Sequence, residues 1–424
     1  MGLKKALPNK EYTSEVKWLQ RATRKDFLFD GSFQEAIGPL LAMAQCFGIM
    51  PVIGIKSKTA CKLQFKWNSY RTIYSFVVFI LLLIIMGMTV WITASHEIKF
   101  SRMIAVIFYG SAVYGIFCFI QLAPKWPRIM RRWESVEAKM PQYRTQAGKR
   151  QLARRIKMIS IIILMTSLVE HALNMISIVH YAQTCLDPDK PIKEFFRVQL
   201  SQMYTFLPYS PWLSFLGKFL NVIATFAWNY MDLFVMVVSV GLSSRFKQLN
   251  EDLERVKGKR MSEDFWALRR TQYRKLSDLC VLVDDAISQI TLLSLSNNLF
   301  FITLQLLRAI RPMPSIQHAI YFWFSFIFLL SRTLAVSLYS SQIHDESKKP
   351  IVILRAVPTN TWNSEVRRFC EHVVNDTIAL TGMRFFFLTR KLILSVAATI
   401  ITYELVLIQF QTEDSTETEC RRNW

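Results

Sequence analysis

Long apolar runs recur along the chain, separated by polar and basic stretches, and their lengths predict helices that cross a membrane. Residues 72–95, around FVVFILLLIIMGMTVWI, carry no charged side chain. At about 1.5 Å of rise per residue, such a helix crosses the roughly 30 Å hydrocarbon layer. Residues 103–124 and 286–307 are equally free of Asp, Glu, Lys and Arg, and 158–183, 211–243, 317–343 and 392–411 are interrupted only by isolated ionisable groups. Seven spans are therefore expected, in an all-α membrane protein. The run 37–55 is shorter and broken by Gly48 and Pro51; it reads as a helix lying in or dipping into the interface. The first 37 residues are polar, so no cleavable signal peptide is expected.

The basic residues orient these spans. Before the first lie Lys56, Lys58, Lys62, Lys66 and Arg71, with more Lys and Arg upstream; the connection KWPRIMRRWESVEAKMPQYRTQAGKRQLARRIK is densely basic, as are 244–280 and 344–391. The alternate connections are poor in positive charge: Lys99 and Arg102; Lys190, Lys193 and Arg197; Arg308 and Arg311. Positive charge gathers on the cytoplasmic side, which predicts a cytoplasmic N-terminus and, after seven crossings, an extracellular C-terminus. The sequon at Asn375 then faces the cytoplasm and stays unmodified.

Composition narrows the class. The 424 residues hold 52 Lys+Arg against 31 Asp+Glu, a net charge of +21, with 52% hydrophobic residues. That apolar fraction excludes a disordered polybasic chain. Basic loops against anionic membrane lipids account for the charge without nucleic acid. The seven Cys are scattered singly, which argues against a disulfide scaffold; Cys185 and Cys420 fall outside and are expected to be free. No phosphate-binding loop, His-Glu-x-x-His pair or nucleophile elbow occurs, so no enzyme, cofactor or metal site is expected.

Polar groups inside hydrocarbon are costly unless paired or wetted, so each is a functional candidate. In the third span Glu170, Asn174, Ser177 and Tyr181 form one helical stripe, with His171 beside it. The fifth span has Thr291, Ser294, Asn298 and Gln305, flanked by Asn297. The sixth begins with Tyr321 and Trp323. Carboxylate and amide groups satisfy hydroxyls in pairs and aromatic faces stack on sugar rings, so this set suits a polyhydroxylated ligand. The other open reading has the same residues bonding helix to helix. Asp232 and Arg332 lie nearer the cytoplasmic side and are expected to have buried partners, such as each other. In the last span Ser395, Thr402 and Gln409 recur every seven residues on an otherwise apolar helix. Such a seam lines a water-filled path when several copies surround an axis; packing within one subunit explains the seam equally well.

The terminal TYELVLIQF (402–410) resembles the Thr-Tyr…Gln-Phe signature of insect gustatory receptors. AQCFGIMPVIGI, EHAL, LPYSP, WNYMDLF with GLSSRF, IYFW, DESKK and FFFLTRKL resemble blocks of that family's sweet-taste clade, from about residue 40 to 410. The resemblance implies the insect chemoreceptor channel fold: four subunits, homomeric or mixed with related receptors, in the plasma membrane of gustatory neurons. It implies gating by sugar, passage of monovalent and divalent cations, and a gate at Gln409 and Phe410. The chain then divides into a cytoplasmic N-terminal region with the interfacial helix (1–71), six spans holding the ligand pocket (72–343), a cytoplasmic anchor (344–390), a pore-lining helix (391–411) and an extracellular tail (412–424). Residues 355–390 are expected to form a cytoplasmic half-helix, and 244–280 to continue the fourth span. A G-protein-coupled receptor would need an external N-terminus, against the charge pattern. A sugar transporter would be expected to show an internal repeat, and none is visible.

Overall fold

The computed structural model describes residues 31–95, 100–140, 146–185, 191–309, 313 and 315–392, together with positions 395, 398 and 402. Among these it is nearly all helix. A short helix α1 (Phe33–Cys46) precedes α2 (Tyr70–Ser95), α3 (Phe100–Glu137) and α4 (Gln146–Cys185). A short helix α5 (Pro191–Gln199) is followed by α6 (Pro211–Glu254), α7 (Glu263–Ala309), α8 (Ile316–Lys348) and α9 (Ser364–Asn375). Helices α2, α3, α4, α6, α7 and α8 are each long and apolar enough to cross a membrane, matching the first six expected spans. Apart from its first residue and three isolated positions, the seventh lies outside the described residues.

Local chemistry places the helix starts. The Ser32 hydroxyl accepts from the Glu35 amide (3.2 Å) while the Glu35 carboxylate accepts from the Gly31 amide (2.9 Å), a reciprocal pair that occupies exposed N-terminal donors. Ser315 and Asn363 cap α8 and α9 in the same manner, and Pro211 opens α6, where a missing amide costs nothing. At the other end of α9, the Lys348 ammonium donates to the carbonyls of Val373, Val374 and Asp376 at 2.7–3.0 Å.

Burial orders the bundle. In helix α6, 78% of the most apolar window is buried, against 11% for α4. It is accordingly the central helix, packed against α3, α4, α7 and α8. Its 44 residues reach about 66 Å, twice the hydrocarbon thickness, so it extends well beyond the membrane.

Helix α1 tucks into this extension. Phe33 stacks on Trp133 at 4.0 Å, against Gly241, where a Cβ would come within 2.6 Å of the Phe33 ring. The Glu137 carboxylate accepts from the Phe33 amide, the Trp133 indole (2.9 Å) and Arg245 (2.7 Å). One turn away, Glu134 accepts from the Ala60 amide at 3.2 Å. It is 3% exposed, and this burial pushes its carboxyl up to about 7, the Ala60 bond opposing the shift without cancelling it.

Two expectations for the cytoplasmic side need correction. The extension of the fourth span stops at Glu254, because Gly258 turns the chain in a left-handed conformation; residues from Glu263 onward belong to α7. The region 355–390 is not one half-helix: its main helix is Ser364–Asn375, preceded by a 3-10 turn at Thr359–Thr361. Beyond it the chain bends back through an antiparallel bridge between Thr381 and Phe387. Met383 and Arg384 sit at positive φ there, and the Asp284 carboxylate takes both the amide (2.6 Å) and hydroxyl (2.7 Å) of Thr381. A tertiary anchor thus replaces the helical hydrogen bonds at Thr381.

Candidate ligand site

Helices α4 and α8 run antiparallel, which lays the Glu170 stripe against the start of α8. The Ser325 hydroxyl donates to Glu170 Oε1 at 2.6 Å, and the Gln305 amide donates to Ser325 Oγ at 3.1 Å. Seven residues on along α4, and seven back along α8, Ser177 Oγ and His318 Nδ1 are 3.3 Å apart. The His318 ring lies 6.2 Å from Tyr321. One polar junction therefore joins α4, α7 and α8, and Asn174 and Tyr321 lie along the same seam between its two bonded levels.

One acceptor of this junction, Gln305 Oε1, is buried without a hydrogen-bond partner, and beside Glu170 on α4 the His171 Nε2 also lacks one, near the equally unpartnered Lys218 Nζ of α6. The Lys218 ammonium faces the Phe195 ring of α5 at 6.0 Å. Unpaired buried donors and acceptors are costly when left empty, so they mark where a ligand's own polar groups are wanted. Hydroxyl groups, which both donate and accept, suit this mixture of carboxylate, amide, imidazole and ammonium.

The structure separates the remaining candidates from this junction. Asn298 does not face it: its amide donates to Asp232 at 3.0 Å and its carbonyl accepts from Arg332 at 3.3 Å. Asn297 points instead to Ser111 of α3, at 3.3 Å. Both are spent on interior bonds. Trp323 is 48% exposed, and among the described residues its ring contacts are to Phe322 and Phe326 of its own helix. Tyr181 is half-buried one turn beyond Ser177 on α4. Sequence reasoning passed over Lys218, Ser325 and His318. Lys218 carried a signal, being a lone cation within an apolar run; Ser325 carried none, because its role comes from facing Glu170.

Below the junction lies a closed charge network. Arg332 pairs with Asp232 (Nε–Oδ2 2.7 Å) at 2% and 0% exposure. Ser294 donates to the other Asp232 oxygen, and Arg332 donates to Asn229. The guanidinium also lies over the rings of Trp228 (4.8 Å) and Phe328 (5.2 Å). Such a satisfied pair holds α6, α7 and α8 in one register.

The same helices grip the chain leading to the last span. In the middle of α7, just before its apolar run 286–307, Asp284 holds Thr381 and Asp285 holds Arg384 (2.7 Å); near the end of α8, Asp345 holds Arg390 (2.7 Å). Of the seam positions, Ser395 and Thr402 are helical and exposed, whereas Gln409 and Phe410 lie outside the described residues. A separate outward cavity of about 300 Å³ between α2, α3 and residues 201–205 is lined by Thr89, Thr93, Gln202 and Thr205. Its three threonine hydroxyls already donate to carbonyls of their own helical turns, which leaves less for a ligand.

The family model described as trehalose receptor matches residues 16–420. The chain is 46% identical over 414 residues to the gustatory receptor for sugar taste 64f of Drosophila melanogaster, covering 98% of this chain and 88% of that one. To the gustatory receptor 5a for trehalose of the same fly it is 42% identical over 400 residues, covering 94% and 90%. Among solved structures, the insect olfactory receptor OR5 from Machilis hrabei superposes with a TM-score of 0.67 at 12% identity, over 95% of this chain and all of that one; this likeness concerns the fold.

Proposed function

The chain belongs to the trehalose receptor family, and on that footing we propose that it is a sugar receptor of gustatory neurons acting as a ligand-gated, non-selective cation channel. Four copies, identical or mixed with related receptors, surround one pore in the plasma membrane. The N-terminus is cytoplasmic, the C-terminus outside, and residues 344–390 anchor the assembly.

The observation that carries this reading is the double attachment of α7 and α8. At their outer halves they meet at the Glu170–Ser325–Gln305 junction. Where their apolar runs end on the cytoplasmic side, Asp284, Asp285 and Asp345 hold Thr381, Arg384 and Arg390, just before the last span. A sugar that replaces the Ser325–Glu170 bond with its own hydroxyls draws α4, α7 and α8 together. Because the Asp232–Arg332 network keeps α6, α7 and α8 in register, the displacement of α7 and α8 carries down to the residues that hold the connector and shifts it. The last span then moves away from the axis, widening the ring of Gln409 and Phe410 so that hydrated cations pass. The ligand biases gating only by its difference in affinity for the two states.

The test is to express this chain, alone and with related receptors, and record membrane current under a panel of mono- and disaccharides. Sugar-evoked cation current without added nucleotide is expected, and Gln409→Ala is expected to alter ion selectivity or gating with sugar sensitivity retained. Silence under every sugar and every combination, with the protein shown at the cell surface, would overturn the reading.

A further inference from the structure

On the opposite side of the membrane, a cavity of about 210 Å³ opens between α3, α7 and the turn before the last span. Its walls carry Gln121 and Lys125 of α3, Ser288 and Gln289 of α7, and Arg384 of the turn. Lys125 directly follows the apolar run 103–124, and Asp285 directly precedes 286–307. Both helices thus leave the hydrocarbon at this cavity, on the side where basic residues gather. Arg384 is paired with Asp285 at 2.7 Å, although both remain largely exposed; Lys125 makes no hydrogen bond or ion pair among the described residues. Lys125 and Arg384 face one carboxylate, Asp285, in the cavity wall, while the adjacent Asp284 is turned into its two bonds with Thr381.

The membrane side of the cavity is graded. Tyr114, Phe117, Gln121 and Lys125 follow one another at helical spacing along α3, and all four are exposed, Tyr114 by 41% and Phe117 by 39%. The stripe passes from aromatic to amide to ammonium over about 16 Å, the order in which a lipid presents acyl chain, ester and phosphate. On either side of Arg384 in the chain, Met383 of the cavity wall (41%) and Phe385 (79%) expose apolar side chains suited to the interfacial layer.

We propose that this cavity seats the phosphate headgroup of an anionic inner-leaflet lipid, whose acyl chains lie along Tyr114 and Phe117. The phosphate takes Lys125 and competes with Asp285 for Arg384, and the amides of Gln121 and Gln289 complete the donor set. Because Arg384 lies three residues from Thr381 in the connector, an occupied cavity bears on the segment that leads to the last span.

The experiment uses full-length protein in neutral detergent without sugar, so its outcome is independent of the channel reading. The probe is a fluorescent short-chain phosphatidylinositol bisphosphate, followed by anisotropy. Lys125→Gln and Arg384→Gln are each expected to weaken binding about fivefold, the contribution of one cation near an anionic lipid surface, and together about 25-fold. Asp285→Asn, which frees Arg384, is expected to tighten it, so loss of folding cannot imitate the whole series. Lys62→Gln, a cation outside the cavity, is expected to change nothing. Inorganic phosphate and inositol trisphosphate, which lack acyl chains, are expected to compete poorly; full displacement by either would overturn the lipid assignment in favour of a soluble phosphate. Unchanged affinity in Lys125→Gln and Arg384→Gln would overturn the site. A Lys125→Cys cross-link to a second copy would overturn it too, by making this face a subunit boundary.

Discussion

Replacing Asp232 by Ala removes the counter-charge of an arginine that is 2% exposed. Arg332 keeps Asn229 and Asn298 as acceptors, but neither carries charge, and the Ser294 hydroxyl and Asn298 amide lose their acceptor. Breaking a buried pair from one side costs about 3–5 kcal/mol. With an unfolding entropy of about 2.1 cal/mol/K per residue, a chain of 424 residues has about 0.9 kcal/mol/K. The expected loss is therefore about 3–6 °C in Tm, read from a detergent melt followed by size-exclusion chromatography. Adding Arg332→Met removes the orphaned cation, leaving the smaller cost of unsatisfied Asn and Ser groups, about 1–3 kcal/mol. The double variant is expected to melt above Asp232→Ala alone. A double variant that melts lower than the single, or an Asp232→Ala protein with unchanged Tm, would refute the reasoning.

Other expectations concern the junction, the connector and the packing around Glu134. Glu170→Ala is expected to shift the sugar dose response right by about tenfold or more, the worth of a charged hydrogen bond, with single-channel conductance unchanged; an unshifted curve removes Glu170 from the site. Thr381→Val deletes one of two bonds to Asp284 and is expected to lower maximal sugar current more than it shifts the half-maximal concentration, as whole-cell recordings would reveal. Glu134 holds its proton more tightly in the folded protein, up to about 7 against 4.5. The stability this contributes is complete below about 4.5 and is lost as pH rises through about 7. Wild-type Tm is thus expected to fall between pH 6 and 8, while Glu134→Gln flattens that slope; parallel slopes would exclude Glu134 as the cause.

Much of the candidate site was legible before any coordinates. The Glu170–Asn174–Ser177 stripe follows from helical period alone, and Glu170 and Ser177 both meet α8. The neighbouring pair Asn297 and Asn298 shows where that reasoning stops. Adjacent helical residues point about 100° apart, so one reaches Ser111 and the other Asp232. Both are buried polar groups in an apolar run, and spelling alone cannot distinguish a ligand contact from an interior bond. Trp323 is ambiguous for the complementary reason: an amphipathic aromatic near a helix end suits a sugar face and a membrane interface alike.

Span length, apolar continuity and the alternation of basic loops are properties of the linear chain, and the first six spans could be read directly because hydrocarbon thickness and surface charge act on each segment separately. Family membership was likewise carried by the order of residues. The tertiary structure decided what depends on helix rotation and register: that Ser325 faces Glu170, that Arg332 closes on Asp232, and that Thr381 gives up a helical turn for Asp284. A polar group buried in a bundle takes whichever partner packing brings within about 3 Å, and that choice exists only once the helices have met.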